Sequence, residues 1–274
     1  MSDYSEWIGK ERISSEPITD RMLDHFKVTL AGLLGPGPVP CGFQWCLAPD
    51  SVVACDLGPD GHPRTGLFLP KLPLPRRMWA GGSVTSIKPL SENDIVSRKS
   101  VITDVKFKQG RSGNLGFVTV EHSYSVDGDP HISEVQNIVY REAPVPGAAP
   151  PPPPVAEDWH VVDQWKVSPT STLLFRYSAL TFNGHRIHYD FPYATQEEGY
   201  AGLVVHGPMQ ATWMQNMAAK LFGKAPSTFT YRGVSPLICG IPVTVEARES
   251  ESGLDLRVRK VEDGTVTMQA TAEA

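Results

Sequence analysis

The chain has 274 residues, 41% hydrophobic and 20% charged, a balance that excludes wholesale disorder and supplies core material for one large domain or two ordinary ones. A formal charge of −5, with Lys and Arg scattered, excludes the basic footprint of a general nucleic-acid binder and leaves room only for a local phosphate pocket. The opening MSDYSEWIGKERISSEP is charged and no run approaches the roughly 18 apolar residues that cross a bilayer, so a cytoplasmic protein without membrane contact is expected.

The first element is a helix in ITDRMLDHFKVTLAGLLG, where Met22, Phe26 and Leu30 recur every four residues. Cys41 and Cys46 have four residues between them, while Cys55 and Cys239 stand apart. That spacing lacks the second pair of a zinc module, so the thiols are expected to be reduced and no structural metal is expected. Residues 72–82, LPLPRRMWAGG, bring Arg76 and Arg77, which suit bidentate pairing with phosphate or carboxylate or are simply solvated. Trp79 and Gly81-Gly82 either line a wall or open a strand. SVITDVKFKQG, NLGFVTVEHSYSVDG and HISEVQNIVYRE then alternate apolar and polar residues as an antiparallel meander. In the first, Val101, Thr103, Val105 and Phe107 oppose Ile102, Asp104, Lys106 and Lys108. Turns fall at 110–113 and 127–130. EAPVPGAAPPPPPVAED supports neither helix nor ladder and reads as stiff polyproline. It divides the chain into 1–142, a linker at 143–158, and 159–274.

In the second half Ser168 is the expected N-cap, with Pro169 behind it, of a short helix presenting Leu173, Tyr177 and Leu180 and ending near Phe182. Asn183, His185, Arg186, His188 and Asp190 then crowd into eight residues, too polar for a core strand and too dense for a chance loop. The bland alternative is a polar surface loop. Convergence of His185, His188 and Asp190 on a cation is disfavoured because no further His or carboxylate group repeats the pattern. Val204-Val205-His206-Gly207-Pro208 leads into a helix over GPMQATWMQNMAAKLFG, with Pro208 at its first position, Gly223 at its C-cap and a stripe of Met209, Trp213, Met217 and Leu221. Three strands follow, marked by Ile241, Val243, Val245 and Ala247, by Leu254, Leu256 and Val258, and by Val266, Met268 and Ala270. Each half reads as helix plus curved antiparallel sheet, which gives an α+β class with a duplicated plan.

The segment at 183–188 resembles the hydratase motif of the MaoC-like and type 2 hydroxyacyl-thioester dehydratases, in which Asp is followed by Asn-Pro two and three positions on and by His at the fifth. Asn183 stands at the acid position, His185 and Arg186 replace Asn-Pro, and His188 occupies the histidine position. The wording TFNGHRIHYD, and LPLPRRMWAGG, are similar to a branch that includes mitochondrial-type dehydratases and bacterial mesaconyl-CoA and itaconyl-CoA hydratases. The resemblance implies a double hot-dog fold and hydration of an unsaturated dicarboxylic acyl-CoA to citramalyl-CoA, without cofactor. An amide cannot take a proton from water, so His188 becomes the main base, with Asn183 holding water through its amide oxygen and Asp190 as second choice. Gly207 supplies the oxyanion donor at a helix N-terminus. Arg186, His206, Tyr177, Arg76, Arg77 and Trp79 form the expected substrate-binding set, Arg186 for the acyl carboxylate. The competing readings are a dehydratase of fatty 3-hydroxyacyl thioesters, a hot-dog thioesterase, and a non-catalytic acyl-binding module. The helix start GPMQATWMQN, without Asp or Glu, argues against the thioesterase. Exposed strand edges suggest a homodimer.

Overall fold

The computed structural model describes residues 4–110, 113–143 and 157–274. The linker expected at 143–158 lies almost wholly outside the described residues. Ten strands form one antiparallel sheet in the order β1-β3-β4-β5-β2-β7-β10-β9-β8-β6. They are β1 Glu11–Pro17, β2 Arg76–Ser86, β3 Ile95–Gly110, β4 Gly113–Val126, β5 Asp129–Arg141, β6 Asp163–Val167, β7 Thr228–Gly233, β8 Val243–Ser250, β9 Gly253–Lys260 and β10 Val266–Glu273. The order reads the same from either end once five is added to each strand of the first half. The two halves are therefore related about the β2–β7 seam, where Gly81 to Thr85 pair with Arg232 to Thr228.

The alternating segments become β3, β4, β5, β8, β9 and β10, with Val243, Val245, Ala247, Leu256 and Val258 wholly buried. Asp127 and Gly128, both with positive φ, make the two-residue turn that joins β4 to β5. In β3 the expected faces are corrected: the register shifts between Ile102 and Asp104, so Ile102 joins Val105 and Phe107 in one apolar cluster with Val118, Val120 and Tyr140. One inserted residue reverses the phase of a strand. Strands β1, β6 and β7 fall outside the segments read as strands, and Trp79 and Gly81-Gly82, read as lining a wall or opening a strand, lie within β2.

The described residues form three α-helices, α1 Asp20–Thr29, α2 Ser171–Leu180 and α3 Gly207–Phe222. Helix α2 is capped by Thr170, whose hydroxyl accepts from the Leu173 N–H, and not by Ser168. Helix α3 ends on Gly223 in the left-handed conformation. It is more than a striped helix: every residue from Met209 to Ala219 is buried, whereas Leu221 emerges to 38% exposure. One side packs on β7–β10. The other meets the coil of residues 35–41, where Asn216 accepts from the Gly35 N–H at 3.0 Å and donates to the Cys41 carbonyl at 2.8 Å.

The parallel between the halves also needs correction. Helix α1 follows β1 as α2 follows β6, and α1 and α2 pack together. Thus α1 is the counterpart of α2, and α3 has no helical counterpart in the first half. Its place in the chain is taken by a Pro- and Gly-rich segment whose 3-10 turn Phe43–Cys46 buries Phe43, Trp45 and Leu47 in the main core. The four cysteines are all free thiols, and no helix among the described residues is long and apolar enough to cross a membrane.

Candidate active site

Helix α2 closes on Phe182, which takes a left-handed backbone (φ 49°) while the Asn183 N–H reaches back to the Ser178 carbonyl. The chain leaves the helix sharply and enters a 3-10 turn, Arg186–His188. Asn183 sets this turn: its amide oxygen accepts the His185 N–H at 2.9 Å, so the oxygen expected to hold water already has a backbone partner.

His188 is 6% exposed. Its Nδ1 lies 2.7 Å from the Val204 carbonyl, which can only accept, so that nitrogen carries the proton and Nε2 keeps the lone pair. Burial pushes its pKa down to about 4, against the opposing pull of the Val204 hydrogen bond, and the ring is neutral at pH 7. It stacks on His206 at 3.6 Å between centroids and meets His185 edge-on at 5.4 Å. Burial, reinforced by His62 and His188, lowers His185 to about 2. His206 is fully buried; its Nε2 is 2.8 Å from the Ser178 hydroxyl, while Nδ1 has no hydrogen-bond partner among the described residues. The Tyr177 ring lies 5.1 Å from His206, and its hydroxyl is 3.4 Å from that of Thr212.

His206 is also the N-cap residue of α3, so the residue stacked on His188 is the one after which the first N–H groups of that helix begin. A Cβ on Gly207 would stand 2.7 Å from Cε3 of Trp79, so the glycine is what lets the indole lie against the helix start. Trp79 itself stacks on Tyr231 at 4.5 Å and meets Trp45 edge-on at 5.7 Å. His188, His206, Tyr177, Gly207 and Trp79 thus form one continuous group.

The three arginines stand differently. Arg76 pairs with Glu198 at 2.5 Å and lies over the Tyr200 ring, and Arg77 pairs with Asp60 at 3.0 Å. Arg186 pairs with Asp190 at 2.8 Å, donates to the Pro59 carbonyl and lies over Tyr193. Each guanidinium already has a carboxylate. Asp190 also accepts the Tyr193 N–H, and hydrogen bonding to Arg186 holds its carboxyl below the usual range. It serves the turn and not His188.

Sequence reading missed the contribution of residues 58–63. Here the Asp60 carbonyl accepts the Arg186 N–H at 2.9 Å, and a Cβ on Gly61 would stand 2.0 Å from the Gly184 carbonyl oxygen. This contact brings the His62 ring to 4.3 Å from His185. The only available signal was the turn-forming GPDGHP itself, and no linear spacing joins it to the motif. Asp60, His62 and His185 hold ligand atoms within 4.8 Å of one another. The Arg77 guanidinium on Asp60 offsets the charge a divalent cation would need, so the group does not fit a metal centre.

A neutral histidine of fixed tautomer beside the amide end of a buried helix is the equipment of a proton-transfer enzyme working by addition and elimination. The chain superposes on HtdX of Mycobacterium tuberculosis with a TM-score of 0.71 at 19% identity, over 97% of this chain and 100% of that one. A second M. tuberculosis protein, described as a double hot dog, superposes with a TM-score of 0.57 at 12% identity, over 97% of this chain and 95% of that one. The fold is the double hot dog. Residues 42–239 match the family described as hydroxyacyl-thioester dehydratase type 2. Mesaconyl-C(4)-CoA hydratase of Chloroflexus aurantiacus is 38% identical over 99% of this chain and 98% of its own. The chain belongs to the hydroxyacyl-thioester dehydratase type 2 family and is an enzyme of the hydratase/dehydratase class.

Proposed function

We propose that the protein hydrates the double bond of an unsaturated dicarboxylic acyl-CoA in the cytoplasm, converting mesaconyl-CoA or itaconyl-CoA to citramalyl-CoA. The observation that carries this reading is the stack of His188 on His206, which puts a base of fixed tautomer one residue from the first amide of α3. His188 Nε2 takes a proton from water as the oxygen bonds to the β-carbon. In the conjugated substrate, mesaconyl-CoA, the electrons of the double bond move to the thioester oxygen, where the Gly207 N–H receives the developing charge. The imidazolium returns its proton to the α-carbon, so one water is consumed and the base is restored. Asn183, whose amide oxygen caps the turn through the His185 N–H, contributes by holding His188 in place, and Tyr177, His206 and Trp79 are assigned to the wall of the substrate slot. Arg76, Arg77 and Arg186 bind substrate carboxylate or phosphate only by exchanging the carboxylates they now hold. The absence of acidic residues from the first turn of α3 weighs against thioester hydrolysis. A homodimer covering the sheet edges at β1 or β6 completes the proposal.

The test follows the enoyl absorbance of an unsaturated dicarboxylic acyl-CoA together with free thiol. Hydration removes the first without producing the second, and His188→Ala lowers the rate by roughly 10²- to 10⁴-fold. Undiminished turnover in that variant, or thiol release in step with the absorbance change, overturns the assignment. A plain enoyl-CoA in parallel separates the dicarboxylic reading from a fatty-acyl dehydratase. Full preference for the dicarboxylic substrate in Arg186→Ala removes Arg186 from the site.

A further inference from the structure

Resting on the hydratase reading, a second question concerns the charge that His188 acquires. When the ring takes water's proton, a cation arises among groups that carry no negative charge. His206 covers one face and His185 meets its edge, both neutral, while Tyr177 and Ser178 of α2 lie against His206. Asn183 is an amide already capping its own turn, and Asp190 and Glu198 are taken by Arg186 and Arg76.

The carboxylate that faces the imidazoles comes from the other half of the chain. Asp60 Oδ2 stands 3.8 Å from His62 Nδ1, and Asp60 Oδ1 accepts the His62 backbone N–H at 3.1 Å. That Nδ1 is buried and has no hydrogen-bond partner among the described residues. The His62 ring lies 4.3 Å from His185, which lies 5.4 Å from His188. The order is carboxylate, ring, ring, base. Nor is the approach loose, because the Arg186 N–H on the Asp60 carbonyl, Arg186 Nη1 on the Pro59 carbonyl and the Gly61–Gly184 contact fasten this loop to the motif.

We propose that Asp60 and His62 are positioning residues for His188: acting through His185, they set a carboxylate opposite the imidazole that receives the proton. Asp60 takes no proton itself. It offsets the imidazolium while the carbon–oxygen bond forms, and the proton then goes to the α-carbon. Arg77, paired with Asp60 at 3.0 Å, fixes the carboxylate's direction and offsets part of its charge, which keeps the effect moderate. Burial first, then Arg77, lowers His62 below the ordinary imidazole range, and His185 is lowered likewise, so both intervening rings are neutral. A carboxylate on the order of 10 Å from a cation, at an effective dielectric near ~20, corresponds to roughly ten-fold in rate.

The test uses full-length Asp60→Asn and His62→Gln, with hydration kinetics across pH and NMR titration of the histidine rings without substrate. Asp60→Asn is expected to lose roughly ten-fold in kcat with KM little changed, and His62→Gln, which keeps the carboxylate, a smaller share of that. Loss of a carboxylate disfavours the imidazolium, so the acid limb of the kcat/KM profile and the NMR midpoint of His188 both move to lower pH. Adding Asn183→Asp to Asp60→Asn returns a carboxylate from the motif side and restores much of the rate. An unmoved NMR midpoint and acid limb overturn the proposal even where kcat falls, because a purely structural loss shows that pattern. Stoichiometric zinc in the wild type that His62→Gln loses also overturns it. Should Asp60→Asn fail to fold for want of its Arg77 pair, Arg77→Gln, which leaves the Asp60 charge unopposed, is expected to move the His188 midpoint and the acid limb to higher pH, and an unmoved midpoint there overturns the proposal. A shifted midpoint in a protein that hydrates no thioester supports the coupling and refutes the hydratase reading, so the two fail separately.

Discussion

Lowering the pH from 7 to 5 destabilises this protein through His188, and the size of the effect follows from its burial. In the unfolded chain the imidazole titrates near ~6.5 and at pH 5 is almost fully protonated. In the folded protein the ring is 6% exposed and titrates at about 4, so at pH 5 it is still mostly neutral. The unfolded state binds more protons throughout this window, and folding stability therefore rises with pH across it. Integrating the difference gives about 2 kcal/mol lost between pH 7 and pH 5 from this residue alone. Stability continues to fall until the folded ring itself protonates near pH 4. His62, His185 and His206 are displaced in the same direction and steepen the loss. Urea unfolding at pH 7, 6 and 5 measures the slope, and the same series on His188→Gln isolates the residue because the background carboxylates titrate in both proteins. The variant is expected to lose less stability on acidification than the wild type, by about 2 kcal/mol. Identical slopes would show that the ring is not held neutral by burial, and the tautomer argument for catalysis would go with it.

Gly207→Ala pushes a methyl to 2.7 Å from a Trp79 ring clamped by Tyr231 and Trp45, and is expected to cost about 1–3 kcal/mol by thermal melting, with reduced kcat. Thr170→Ala removes the cap of α2, costs about 1 kcal/mol and lowers Tm by about 2–4 °C, read by circular dichroism. Asn216→Ala leaves the Gly35 N–H and Cys41 carbonyl without their partner between α3 and the coil; urea unfolding should report about 2–4 kcal/mol.

Periodicity made most of the second half readable. Val243, Val245, Leu254, Leu256 and Met268 alternate because one face of each strand joins the main core on the α3 side, a face broken at Thr267, which donates to the Gln210 side chain of α3. The strands hardest to read lack this contrast. Every residue of β1 is exposed or half-buried at the sheet edge, and β2 carries Gly81-Gly82 and a register shift between Trp79 and Gly81. In β3 the alternation was visible, but a single extra residue at the shift assigned Ile102 to the wrong face. Among the site residues, His188, His206 and Gly207 lie within 20 positions and could be grouped from the motif. His62 could not: it meets His185 through backbone contacts between Gly61 and Gly184, and two glycines carry no sign of what they approach.

The departure from exact duplication explains where the chemistry sits. Were both halves complete, each would carry a buried helix with its own amide terminus, and the seam between β2 and β7 would separate two equivalent sites. Among the described residues, only the second half has such a helix. The first replaces it with a coil whose early part, through Gly35 and Cys41, closes the open side of α3, and whose later part delivers Asp60 and His62 to the motif. The same segment therefore fills the space left by the missing helix and brings a carboxylate to a site whose own motif lacks one. On this view the coil is a catalytic accessory as much as a packing element, because shortening it would uncover α3 and detach the histidine relay together. On the proposal above, the asymmetry yields one site assembled from both halves.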